Sequence, residues 1–390
     1  MHSEQPMDLL DTFRDQFSLL HTHAYLANCS QAPLALSVRS AIETFLATWA
    51  GDGMDWESWM AEVERARAAF AALIGASPEH IAVGSSVSQL ASSLASALVS
   101  APQTAPRRII SSEAEFPGVA HAWLATRASG WQVDQLAADE RGVVSSEQFR
   151  AALREPAALV SLPHVCYANG ALLSLDDLVE IAHEQGTSVF VDVYQSIGTV
   201  PIDVQVSQVD FLAAGALKYL CGTAGIAFLY VSPRVLEGLR PTVTGWFGRQ
   251  NPFAFDVHQL DYASGAARFD LGTPAVINAY AARAGMELVL ATGVERIRSR
   301  ILRLSALADE QAQQLGLTIA GPVDAQDRGA TTALDVGSEE RAHWLEAALR
   351  QRSIIVSARG RMVRVAPHGF TQEEEMRSAL LAIARLLKEA

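Results

Sequence analysis

Six short apolar runs lie between residues 81 and 231, and helical patterns fall between several of them. The runs are Ile81–Val83, Arg108–Ser111, Ala158–Leu162, Ser188–Val193, Val209–Ala214 and Gly225–Val231; the helical patterns cover 86–100, 118–128, 145–153 and 175–185. Short runs without polar alternation read as strands covered on both faces, and the intervening helices supply the covers. The pattern predicts an α/β fold with a mostly parallel sheet. Residues 209–214 and 224–231 lie close together in sequence, which predicts antiparallel pairing at one edge. Two amphipathic helices, 35–50 and 57–74, precede the sheet and are separated by Gly51-Asp-Gly53. From about residue 275 the pattern changes to helices at 275–292, 294–315, 338–351 and 371–388, with strands at Thr331–Asp335, Ile354–Ser357 and Met362–Val365. The expected division is an N-terminal arm, 1–30, joining the smaller lobe, a large domain over 31–270, and a small α+β domain over 271–390.

At 390 residues and 49% hydrophobic the chain buries a large core. A net charge of −13 disfavours nucleic acid and anionic membrane as partners, because phosphate binding needs a concentrated basic face. Three scattered cysteines, Cys29, Cys166 and Cys221, give neither a disulfide framework nor zinc spacing, and His21 with His23 lacks a third metal ligand. No secretion signal or bilayer-length apolar run is evident, so a soluble, cytoplasmic protein is expected.

The chain has two lysines, Lys218 and Lys388, against 28 arginines. Sites that need only positive charge are evidently filled with arginine. Lys218 nevertheless sits in the apolar run Val209–Tyr230. A lysine there either snorkels to water or offers what arginine cannot, a primary amine that loses its proton and forms a Schiff base. Twenty-six residues earlier the strand ends in Asp192. A strand-end carboxylate alone is commonly a helix cap or an arginine's partner. Followed by a strand-end lysine, it forms the arrangement that holds pyridoxal phosphate (PLP), with Lys218 bonded to the cofactor and Asp192 keeping the pyridine nitrogen protonated. Gln195 is placed to reach the ring's phenolic oxygen. Ser85, Ser86 and Val87 lie at a strand-to-helix turn, a serine-rich N-cap whose backbone N–H groups also suit a phosphate. Phe116, in Glu115-Phe116-Pro117, is either a core residue or a ring stacked on the cofactor.

The runs Asp192-Val-Tyr-Gln-Ser-Ile-Gly-Thr-Val-Pro-Ile-Asp203, Val209-Asp-Phe and Lys218 resemble the class V aminotransferase family, fold-type I PLP enzymes that include cysteine desulfurases, selenocysteine lyases and kynureninases. The likeness runs from Tyr25-Leu-Ala-Asn28 to Val363-Arg364-Val-Ala-Pro-His368. It leans toward kynureninase at Glu115-Phe116-Pro117, at Gly245-Trp246-Phe247-Gly248 with Pro252–Phe255, and at Arg268–Pro274. It implies a mostly parallel seven-stranded-type sheet and a homodimer. Trp246 and Thr273 would contact phosphate, Thr273 across the dimer interface. Arg364 would hold the substrate's α-carboxylate by a two-pronged contact that lysine cannot make. Asn28 and Tyr167 are counted with it as substrate-binding candidates.

There are departures from the family pattern. Gly215 stands where the family usually has a hydroxyl residue, and Leu217 where it has histidine or tyrosine, which removes two potential phosphate ligands. Gln195 stands where kynureninases tend to carry histidine. The segment Ser357–Arg364 lacks the cysteine that a desulfurase needs. The expected activity is therefore that of a PLP-dependent aminotransferase or related lyase, using a Lys218 Schiff base on an α-amino acid with a free α-carboxylate. Lys218 would move the Cα proton. The alternatives are a kynureninase-like Cβ–Cγ hydrolase and a non-catalytic ligand-binding protein that keeps the fold.

Overall fold

The computed structural model describes residues 8–101, 106–175, 177–322 and 324–389. Residues 1–7 of the expected arm and position 176 of the expected helix 175–185 lie outside the described residues. The strands in chain order are β1 (Ala24–Tyr25), β2 (Ile81–Gly84), β3 (Arg108–Ser112), β4 (Gln132–Leu136), β5 (Leu159–Pro163), β6 (Ser188–Asp192), β7 (Phe211–Gly215), β8 (Ala227–Val231), β9 (Thr318–Ala320), β10 (Thr332–Asp335), β11 (Ile354–Ile355), β12 (Ser357–Arg359) and β13 (Met362–Val365). Seven of them form one sheet in the order β2-β8-β7-β6-β5-β3-β4. Its pairs are parallel except β7–β8 and β2–β8. The antiparallel strand is therefore not the edge itself: β8 lies one strand in, and β2 covers it.

The six apolar runs are strands of this sheet, and β5, β7 and β8 are buried along their whole length. The strand that periodicity missed is β4. It is the other edge, and Gln132, Asp134 and Gln135 in it are too polar to read as a covered strand. Two buried clusters flank the sheet, one containing Phe70, Phe228 and Ile110, the other Leu90, Trp123 and Phe190. A third, smaller core, built on Leu304, Leu345, Val363 and Leu380, packs beside the four-stranded antiparallel sheet β12-β13-β10-β9. The expected break at 270/271 precedes the helix Val276–Thr292, which packs on Leu36–Asp52 and Trp56–Leu73 within the larger core. Near the N-terminus, β1 pairs in parallel with β11, and Leu26 enters the smaller core.

The edge strand β2 carries outward-facing backbone groups that need partners. Asp270 Oδ1 accepts the Val83 N–H at 2.8 Å, and Asp270 Oδ2 accepts from Arg67 Nη2 at 2.9 Å. Arg67 Nη1 in turn donates to the Ile81 carbonyl. The buried ion pair thus replaces a missing neighbouring strand and fixes the end of β2, where the Ser85–Ser88 turn begins. Arg268 braces the same segment by donating to the Leu236 and Leu239 carbonyls at 2.8 and 2.9 Å. Removing one member of a buried pair strands its partner. Asp270→Ala is therefore expected to lower unfolding free energy by roughly 3–5 kcal/mol in urea titration. An unchanged midpoint would show that the clamp does not hold the edge.

Candidate active site

The carboxyl ends of the parallel strands and the start of β8 face one cavity of about 330 Å³. Asp192 closes β6, Gly215 closes β7, and Gly84 closes β2, with Ala227 of β8 in register between the two glycines. The loop after β3 delivers Phe116 and the loop after β5 delivers Tyr167. Ser85, Ser86, Val87 and Ser88 open the helix Val87–Ser100, in which Ser86 Oγ accepts the Gln89 N–H at 3.2 Å as N-cap. Ser30, Tyr194, Gln195, Leu217 and Lys218 complete the part of the lining that matters to the chemistry.

Lys218 lies between two aromatic rings. Its Nζ is 4.3 Å from the Tyr194 ring centre and 5.6 Å from that of Phe116. Burial pushes its ammonium down to about 8, against the opposing pull of Asp192. Roughly a tenth of the amine, against well under a thousandth for an ordinary lysine, is therefore unprotonated at pH 7. That is the form that attacks a carbonyl carbon.

Asp192 is buried and accepts the Tyr194 N–H at 2.8 Å. Burial raises its pKa above the ordinary carboxylate value, opposed by that N–H and by Lys218. A second buried carboxyl, Glu115, lies behind it. Ser161 Oγ donates to Glu115 Oε2 at 2.6 Å, the Phe116 N–H donates to Oε1 at 3.2 Å, and Trp123 Nε1 donates to Ser161 Oγ at 2.9 Å. Burial, then the charge on Asp192, pushes Glu115 up to about 8. Glu115 thus holds a proton at neutral pH, and the charge stays on Asp192, which faces Lys218.

Not every residue singled out in the sequence reaches the cavity. Lys218, Asp192, Gln195, Ser85, Ser86, Val87, Phe116 and Tyr167 line it; Trp246, Thr273, Asn28 and Arg364 do not. Trp246 packs with Phe247 and Phe253, and Thr273 is exposed on the single chain. Asn28 Nδ2 donates to the Ala366 carbonyl at 2.8 Å. Arg364 is buried directly behind the wall. Its Nη1 donates to the Tyr167 carbonyl at 2.7 Å, and its Nη2 to Ser357 Oγ at 2.7 Å and Ser30 Oγ at 3.0 Å. His164 is buried with Nδ1 2.9 Å from Ser196 Oγ, away from this cavity. The sequence reading gave Tyr194 no role, although it sits two residues after the strand-end aspartate.

The residues present fit PLP. The cavity offers an amine, a carboxylate for a ring nitrogen, an aromatic face and a helix N-terminus for a phosphate. Gln195 Nε2 donates to the Cys29 carbonyl at 3.0 Å, which leaves its buried Oε1 without a donor that a hydroxyl on a bound ring would supply. Ser85 N–H and Oγ are held by Gln89 Oε1, both at 2.7 Å, so the turn is already shaped before any anion enters.

A parallel-sheet α/β chain with these groups at its strand ends is a fold-type I PLP enzyme. The chain belongs to the aminotransferase class-V family, whose pattern matches residues 24–383. An uncharacterized aminotransferase of Bacillus subtilis (strain 168), YcbU, is 36% identical over 96% of this chain and 98% of its own. A kynureninase of Geobacillus thermodenitrificans is 28% identical over 98% of this chain and 92% of its own. The solved apo structure of a cysteine desulfurase from Thermococcus onnurineus NA1 shares the fold, with a TM-score of 0.87 over 99% of this chain and 100% of that one, at 21% identity.

The neutral Glu115 has a measurable consequence. Its folded-state value, about 8, lies above its ordinary 4.5, so the folded chain binds the extra proton between those limits. Its contribution is fully present below about 4.5 and is lost as pH rises toward 8. Glu115→Gln mimics the neutral form and should flatten that decline. In urea unfolding at pH 5 and pH 8, the variant should gain on the wild type at the higher pH; an equal offset at both would place the proton elsewhere.

Proposed function

We propose that this PLP enzyme acts, as a homodimer, on an α-amino acid with a free α-carboxylate and a bulky or aromatic side chain, by transamination or a related lyase reaction. The observation that carries the reading is Lys218, its amine readily deprotonated, held between two rings and opposite Asp192. Bound PLP supplies an electron sink that stabilises negative charge at a substrate's α-carbon. In this reading Lys218 Nζ holds the cofactor, and once displaced by the substrate's amine it takes and returns the α-proton. Asp192 keeps a proton on the ring nitrogen. Gln195 addresses the ring oxygen, Phe116 stacks on one face, and Ser85, Ser86 and Val87 take the phosphate.

Arg364 would orient the α-carboxylate. Three of its five N–H donors are bonded to protein, and its buried Nε has no acceptor among the described residues. No cysteine stands in Ser357–Arg364, and Cys29, Cys166 and Cys221 are all buried, which supports a reaction other than persulfide formation on a loop cysteine. Arg364→Lys is expected to raise KM for the best amino acid roughly 30- to 1,000-fold, the loss of a charge-assisted pair of about 2–4 kcal/mol. Its PLP absorbance should be unchanged. Steady-state kinetics across a panel of amino acids and of amines lacking the carboxylate test this, and equal turnover of the amines would sink it.

The dimer is supported by the aromatic group that stays uncovered. Phe255, 70% exposed, adopts the left-handed conformation with φ of 50°, and stacks on Trp246 beside Phe253 and the exposed Val257. Strained backbone and solvated apolar surface together suit a face that a second copy covers, bringing Trp246 and Thr273 toward its cavity. Phe255→Glu should shift the protein from dimer to monomer in sedimentation velocity. A wild-type monomer that retains PLP would refute the shared site.

A further inference from the structure

Gly215 ends β7, with Ala227 of β8 between it and the end of β2 from which the serine turn departs, and its backbone is not in the left-handed region that favours glycine. A side chain is excluded for another reason. A Cβ at 215 would meet Tyr194 Oη at 2.1 Å and Cζ at 2.3 Å, well inside any real contact. The phenol of Tyr194 therefore occupies the volume that a side chain at 215 would fill. Its backbone is fixed by the N–H bond to Asp192 Oδ1, so the ring leans from the end of β6 across the end of β7. That direction is fixed by the sheet order. Asp192 is on β6, Gly215 on β7, Ala227 on β8, and the Ser85–Ser88 turn follows β2, in that sequence across the edge.

A molecule with its ring nitrogen at Asp192 and its phosphate at the helix N-terminus must pass over Gly215. The Tyr194 hydroxyl lies between those two anchors and has no protein partner among the described residues. Burial and the nearby Asp192 charge both raise its pKa above the ordinary phenol value, so it stays a neutral donor. Ser85 N–H and Oγ, by contrast, are engaged by Gln89, and Leu217 in the lining offers no donor.

We infer that Tyr194 is a cofactor-binding residue: its ring forms the aromatic face opposite Phe116, and its hydroxyl donates to the phosphate of PLP from the space vacated by Gly215. Tyr194 and Gly215 then act as one unit, in which a large side chain carries the hydroxyl that its small neighbour lacks. The inference rests on PLP being held at Lys218, as proposed above.

The test compares PLP with pyridoxal, which lacks the phosphate. For the full-length protein stripped of cofactor, Tyr194→Phe should weaken PLP binding about 10- to 100-fold, the loss for one hydrogen bond to a charged acceptor, while pyridoxal binding changes less than about twofold. Equal weakening of both ligands, or of neither, would overturn the assignment. Gly215→Ser supplies a second measurement that does not depend on the first variant. Alone it should weaken PLP binding, because the new side chain collides with the phenol; in a Tyr194→Ala background it should restore part of the affinity lost. Additive losses would refute the pairing. Borohydride reduction followed by peptide mass spectrometry separates this inference from its premise. PLP absent from Lys218 in the wild type defeats the cofactor site as proposed, whereas PLP on Lys218 with unaltered Tyr194→Phe affinity defeats only the tyrosine.

Discussion

Two opposite charges withdrawn from water at the ends of neighbouring strands set the terms for the rest of this molecule. Burying Asp192 or Lys218 alone would be costly, and each moderates the other's penalty. No hydrogen bond or ion pair joins the two among the described residues, and the Lys218 amine lies over the Tyr194 and Phe116 rings. The result is a lysine kept reactive and a carboxylate kept charged. Burial favours the neutral amine, and the buried strands β6 and β7 hold Lys218 close enough to oppose the same effect on Asp192.

The surroundings follow from that requirement. Glu115 takes the proton that two adjacent buried carboxyls cannot both lose, with Ser161 and Trp123 lined up behind it. The ion pair on the outer side of β2 holds the strand from which the serine turn departs. Arg364, on a strand of the smaller sheet, reaches the cavity wall through Ser30 and the Tyr167 carbonyl. The cavity and the arginine behind it thus belong to different sheets that meet at one wall.

Much of this could be read from the chain because it depends on scarcity and strand position. A lone internal lysine in an arginine-rich protein, downstream of a strand-end aspartate, is informative without coordinates. Other features depend on neighbours far apart in sequence. Nothing near Glu115 shows that it will sit behind Asp192, so its held proton could not be anticipated. Tyr194 reads as one more aromatic residue after a strand until its ring is seen to fill the space above Gly215. The pair did leave a trace, a large residue and a glycine in two segments that both flank the site. Strand β4 escaped notice because an edge strand alternates in exposure and its sequence is polar.

The N-terminal arm ties these parts together in time as well as space. Its strand β1 pairs with β11, Phe13 and Phe17 pack on Phe370, and Asn28 bonds Ala366 across 338 residues of chain. Ala32 N–H also donates to the Leu217 carbonyl, beside Lys218. During synthesis the arm emerges first and its partners last. Closing so long a loop costs little more in stability than a moderate one, yet such remote pairings form slowly. The larger sheet has every residue it needs well before the arm's strand β1 has its partner β11. The wall behind Lys218 is therefore the last part of the protein to close, and a chain cut short by even its final strands would present an assembled sheet with an open site.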